Sequence, residues 1–212
     1  MNSAIQLFHQ NIQEVQHLMA LYEDLESQIL VTHSFDDLLR SQIVYAVSAF
    51  DKLIHDLIRI GMVEIFCGRR SATPKYLTET ISLQAYQQLR TASLSSFPPP
   101  EYYFEQEVIK KLKIVSYQDP NKVAEGLSYI WQEKQKWQRI AIEMSTSNSP
   151  YTDKTAKQTL KLIADRRNSI VHEAHINPLT NQKYSIDKVE CQYSIDFLVR
   201  CGEAIFSLVQ NS

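Results

Sequence analysis

The chain has 212 residues and a mass of 24.6 kDa, with 44% hydrophobic and 22% charged residues, a composition that excludes a disordered chain and can bury one sizeable core. Only 4 glycines and 7 prolines are present, too few turn formers for a sandwich or barrel of many short strands, so the composition leans helical. A formal net charge of −2 and a pI near 6.3 exclude a globally cationic nucleic-acid binder and leave room for local basic patches.

From about Ser3 to Leu30, the residues Ile5, Phe8, Ile12, Val15, Met19 and Tyr22 recur at spacings of three and four and predict an amphipathic helix. Ser34, Asp36 and Asp37 suit a helix start, and a second helix is expected to run unbroken to about Phe66 before Gly68-Arg69-Arg70. Its stripe of Leu39, Ile43, Ala46, Val47, Phe50, Leu53, Ile54, Leu57 and Ile58 is wide, which predicts a central position. Residues 68 to 81 read as a connection and 82 to 92 as a short helix opening at Ser82. Ser95 to Pro100 reads as a stiff break.

Further helices are expected at about 101 to 115, at 119 to 146 after Asp119-Pro120, and at 152 to 175 after Asn148-Ser149-Pro150, with Asp153 or Thr152 as the start signal. Asn177 to Lys183 is a turn-rich loop. The last helix is predicted from about Asp187 to Val209, with Val189, Tyr193, Phe197, Val199, Ala204, Ile205 and Leu208 as apolar positions. No repeat, low-complexity tract or strong strand pattern interrupts this series, so the expectation is one all-α domain over residues 1–212.

Cys67, Cys191 and Cys201 are an odd, widely spaced set without a C-x-x-C pair, which supports neither a disulfide framework nor a cysteine zinc site. The N-terminal stretch lacks a cationic segment followed by an apolar block, and no uncharged apolar run reaches about 18 residues. A cytoplasmic protein with no membrane association is expected.

The helix expected at 152 to 175 carries a seam of Leu160, Ile163, Ala164, Ile170, Val171 and Ala174, with Arg167 in its middle. An arginine aimed into a packed seam must be paired or must line a cleft, because removing the partner of a buried charge costs about 3–5 kcal/mol. An acidic partner is therefore expected, with Asp51 or Asp56 of the second helix as core candidates. Asp165, Asn168 and His172 lie on the opposite side, Asn168 and His172 being four apart. Arg167 and His172 are separated by roughly 140° and about 7.5 Å in a regular helix. A two-fold dimer through this helix would gather two arginines and two histidines around one cleft.

The stretch RRNSIVHEAHINP, followed by a loop and a final amphipathic helix, resembles the HEPN superfamily, whose mark is an R-x-x-x-x-H helix, and looks most like its RiboL-PSP-HEPN branch. The early helix LLRSQIVYAVSAFDKLIHDLIR is similar to the long early helix of that branch. This resemblance implies an all-α bundle that dimerises through the motif helices. In many members it implies a metal-independent endoribonuclease serving as a toxin or in phage defence, with an antitoxin or defence partner; in others it implies a non-catalytic binding or scaffold module. Arg167, Asn168 and His172 occupy the motif positions. A subset carries a tyrosine two places after the histidine that a nucleotidyltransferase modifies; here that position is Ala174, so such control is not expected. An acidic residue frequent after the H-E pair is replaced by His175.

RNA carries its own nucleophile, the 2′-hydroxyl, so cleavage to a 2′,3′-cyclic phosphate needs a base, an acid and positive charge on the phosphate. Imidazole titrates near neutral pH, which suits His172 to proton transfer. Arg167 would grip the phosphate bidentately, and Asn168 would position the ring or the phosphate. Asp51, His55 and Asp165 are candidate supporting residues. Lys110, Lys111 and Lys113 beside Tyr102, Tyr103 and Phe104, together with Arg69 and Arg70, are candidate phosphate contacts, although such runs are more often solvated faces. The local H-E-x-H of His172, Glu173 and His175 has its histidines three apart rather than four, so no metal is expected, and nothing points to a cofactor. Trp131 and Trp137 read as core.

Overall fold

The computed structural model describes residues 1–28, 35–92, 97–147 and 149–210. Among them are nine helices and two isolated bridges, Thr146 with Ser149 and Ile176 with Lys183. Ser34, Ser95, Ser96 and Asn148, expected at a helix start and at breaks, lie outside the described residues.

Helix α1 (Asn2–Gln28) buries Ile5, Phe8, Ile12, Val15, Met19 and Tyr22, the face read from the spacing, and it packs along α2 (Asp36–Phe66). Every residue of the predicted α2 stripe is buried, and α2 touches α1 and four further helices, so the width of the stripe reports its central place. Fully burying each large apolar side chain contributes about 1.5–3 kcal/mol.

The connection after α2 contains a one-turn helix, α3 (Pro74–Leu77), whose N-cap Thr73 accepts from the Tyr76 amide. Helix α4 (Leu83–Ala92) opens where expected, with Ser82 Oγ accepting from the Ala85 amide at 3.1 Å. Helix α5 (Pro100–Leu112) stops three residues short of the expected end.

The long helix expected over 119 to 146 is two helices, α6 (Pro120–Leu127) and α7 (Lys136–Met144). Side chains from the connection after α2 claim the carbonyls that a continuing helix would use. Thr73 Oγ1 reaches the Ser128 carbonyl at 2.9 Å and that of Tyr129 at 3.0 Å, and Arg70 Nη1 donates to the Ile130 carbonyl at 3.1 Å. The chain tightens into i→i+3 bonds at 128–130 and buries Trp131 instead of extending.

Helix α8 (Asp153–His172) lies against α2, α6, α7 and α9, and α9 (Lys188–Gln210) packs against α2 and α7. The predicted α9 face is partly out of phase. Val189 and Tyr193 are exposed, while Cys191, Ile195, Leu198, Cys201 and Val209 are buried with Phe197, Ala204 and Ile205. The cysteines behave as small apolar residues there, and all three are free.

A Cβ at Gly126 of α6 would lie inside van der Waals contact with the Tyr117 ring and Ile58 Cδ1. Both neighbours are buried. Gly126→Ala is expected to destabilise the chain by about 1–3 kcal/mol in chemical denaturation, and an unchanged midpoint would refute this packing.

Candidate functional site

Helix α8 is started by a reciprocal cap: Thr152 Oγ1 accepts from the Thr155 amide at 3.1 Å, and Thr155 Oγ1 accepts from the Thr152 amide at 2.9 Å. Ala156, Leu160, Ile163 and Ala164 seat the helix on the core. The predicted seam ends there, because Ile170 is half-buried, Val171 is exposed and Ala174 lies beyond the helix. The last helical residue is His172 rather than a residue near 175.

Two successive left-handed residues, Ala174 (φ 50°) and His175 (φ 55°), turn the chain away immediately afterwards. His175 holds that turn. Its amide donates to the Ser169 carbonyl at 2.9 Å, its carbonyl accepts from the Tyr184 amide at 2.8 Å, and its buried ring accepts at Nδ1 from Arg40 Nε at 3.2 Å. Arg40, itself buried, also donates to Asp37 and to the Tyr184 carbonyl, both at 2.9 Å. The arginine bond to Nδ1 requires the neutral Nε2–H tautomer. The sequence reading passed over this Arg40–His175 pair because its members are 135 residues apart.

Arg167, Asn168 and His172 line one open cleft of about 370 Å³ between the end of α8 and the 116–122 segment. The helical offset between Arg167 and His172 is bridged because the cleft follows the flank of α8. Asn168 and His172 are exposed, and Arg167 is half-buried. Arg167 Nη1 donates to Asn168 Oδ1 at 3.1 Å, and its buried Nε has no hydrogen-bond partner.

The expected acidic partner of Arg167 is absent among the described residues. Asp56 is committed to Lys52 and to Arg59, the latter at 3.2 Å, and Asp51 accepts from the Tyr117 amide and stands 3.5 Å from His55. The guanidinium therefore keeps its charge and most of its donors for whatever enters the cleft.

Asp165 lines the cleft but is paired with Lys161 at 3.5 Å. Asp51 and His55 do not line it. They hold the opposite wall through Tyr117, whose ring meets His55 edge-on with centroids 4.8 Å apart. That wall supplies Ser116, Gln118, Asp119 and Lys122. No spacing rule singles these out, because they straddle a connection and a helix start that distant residues, Asp51 on the Tyr117 amide and Trp137 on the Pro120 carbonyl at 2.8 Å, hold in place.

The candidate phosphate contacts are scattered. Arg70 is engaged within the protein by Glu64, the Ile130 carbonyl and the Val209 carbonyl, Lys111 is paired with Glu79, and Lys110 stands 3.9 Å from Glu107. Arg69 and Lys113 are exposed, and none of the five lines the cleft. Among the described residues no cluster of three or more His, Cys, Asp or Glu side chains is arranged to hold a metal, and no helix is long and apolar enough to cross a membrane.

The family model described as RiboL-PSP-HEPN matches residues 8–211 of the chain. No curated protein and no solved structure gives a match.

Burial pushes the His175 imidazole below its ordinary value, and the charges of Arg40, Arg166 and Lys183 push the same way. The unfolded chain takes up this proton near pH 6.5 while the folded chain resists it until lower pH, so its contribution to stability is complete above about pH 6.5. It is lost as the pH falls through the depressed folded value. Melting temperatures between pH 7 and 5 should fall more steeply for the wild type than for His175→Asn; equal slopes would contradict a buried neutral imidazole.

Proposed function

The chain belongs to the RiboL-PSP-HEPN family, and from that membership and the open Arg167–His172 cleft we propose that it is a metal-independent endoribonuclease of toxin or phage-defence type. Membership itself points to a nuclease or RNA-related function in general. The observation that carries the finer reading is a guanidinium without a carboxylate partner on the same cleft as an exposed imidazole.

In this mechanism RNA lies with its scissile phosphate against Arg167. His172 takes the proton of the 2′-hydroxyl, whose oxygen bonds to phosphorus as the bond from phosphorus to the 5′-oxygen breaks. A second imidazole gives that leaving oxygen its proton, which yields a 2′,3′-cyclic phosphate and a 5′-hydroxyl. Arg167 supports the charge that builds on the phosphoryl oxygens, and Asn168 orients the guanidinium through Oδ1. Acid–base catalysis of this kind supplies on the order of 10²–10⁴-fold.

One histidine serves poorly as acid and base in the same step, so the second imidazole is assigned to His172 of a second copy, in a homodimer formed through α8. Apolar surface supports that assembly. Val44 and Tyr45 on α2, Ile170 of α8 and Ala174 just beyond it line a recess bordered by Asp37, Arg40, Ser41 and Lys183, and Val171 beside it is exposed. RNA is the partner this chemistry needs. An antitoxin or other defence partner follows from the family alone.

His172→Ala should abolish cleavage of labelled RNA with little change in melting temperature, and wild-type cleavage should persist in chelator and leave cyclic phosphate ends. Loss of cleavage in chelator, or linear 3′-hydroxyl ends, would overturn the mechanism. Full activity of His172→Ala would remove its catalytic role.

A further inference from the structure

The cleft has a second wall that the cleavage chemistry does not use. Its backbone is fixed. Asp51 accepts from the Tyr117 amide, Tyr117 is 2% exposed, and Asp119 Oδ1 accepts from the amides of Asn121 at 2.8 Å and Lys122 at 3.2 Å. Its side-chain tips are unclaimed: the Ser116 hydroxyl and the Gln118 amide line the cleft without a hydrogen-bond partner among the described residues, and Lys122 has no ion pair there. A rigid backbone presenting free donors and acceptors is pre-organised for recognition rather than for packing, since little ordering remains to be done on binding.

The hydroxyl and carboxamide on this wall suit a base better than a phosphate. A carboxamide offers an acceptor and a donor side by side, and on the Hoogsteen edge of a base only adenine, with its amino group and N7, matches that pair bidentately. A volume of about 370 Å³ is at the small end of ligand sites, scaled to a nucleotide and not to a duplex, and RNA is read by sequence chiefly where its bases are unpaired.

We infer that Ser116 and Gln118 form a base-reading subsite for an unpaired adenine beside the scissile phosphate, with Lys122 contacting a neighbouring phosphate. This rests on the nuclease reading for its substrate and adds specificity to the same cleft. Neither residue touches the reacting atoms, and the base preference, not the chemistry, is theirs.

The test uses short DNA oligonucleotides with a single ribonucleotide, so that the cleavable bond is fixed, with each of the four bases placed at that position and at its 3′ neighbour. Wild-type protein should favour adenine at one of these by roughly 5- to 150-fold in kcat/KM, the equivalent of about 1–3 kcal/mol per bidentate contact. Gln118→Ala should bring the four bases within about twofold while the cyclic phosphate product and the melting temperature are retained. Ser116→Ala should reduce the preference less.

Anisotropy with fluorescent versions of the same oligonucleotides, using His172→Ala and the double variant His172→Ala/Gln118→Ala, reads the preference without cleavage. Adenine-selective binding that depends on Gln118, together with a wild type that cleaves none of the oligonucleotides, would sustain the subsite and overturn the nuclease. Cleavage without base preference, a preference unchanged in Gln118→Ala, preference for another base, or equal loss on all four bases would each overturn the subsite.

Discussion

An arginine brought half out of water without a carboxylate to meet it loses hydration that a single hydrogen bond replaces in part, and Arg167, bonded to Asn168 Oδ1 with its buried Nε unpartnered, is in that position among the described residues. Proteins usually relieve such a charge with an acidic neighbour. Here the partners expected from the sequence are committed elsewhere, Asp56 to Lys52 and Arg59 and Asp51 to the Tyr117 amide. The cleft thereby keeps a guanidinium without an ion-pair partner among the described residues, with Lys122 and Lys161 and the carboxylates of Asp119 and Asp165 around it.

The remaining structure fixes where that charge stands. The threonine cap and four core residues set the phase of α8, and the Arg40–His175 lock ends the helix at His172 and folds the following chain away from the cleft. The facing wall is drawn in by Asp51 from the central helix and seated against α6 by the fit of Gly126 on Tyr117. One element, α2, thus supports both sides: Arg40 near its start holds the motif helix, and Asp51 near its middle holds the wall. Changes in α2 far from Arg167 and His172 would reach the cleft through these two contacts.

Much of this was legible in the sequence. The α1 and α2 faces follow from spacings of three and four, and the resemblance noted around RRNSIVHEAHINP led to the family that the chain belongs to. What stayed hidden depends on distant partners. The split between α6 and α7 arises because Thr73 and Arg70, far upstream, take the carbonyls of 128–130. The α9 face was misphased because apolar residues occur on several sides of that helix, exposed Val189 and Tyr193 as well as buried Ile195 and Leu198, so spacing alone does not choose the side that packs. Arg167 at a seam position correctly signalled an unusual environment, but its lack of an acidic partner was invisible until Asp51 and Asp56 had their own. Ser116, Gln118 and Lys122 belong to no periodic element face and gave no signal.

On the function proposed above, Arg167 serves a ligand and not the fold. The most direct measurement is the unfolding free energy of Arg167→Met, which keeps the bulk of the stem and removes the charge and its donors. The account predicts a value within about 1 kcal/mol of wild type, or a gain, since no ion pair is broken and an unsatisfied Nε is removed. A loss of about 3–5 kcal/mol, the signature of a broken buried pair, would contradict it.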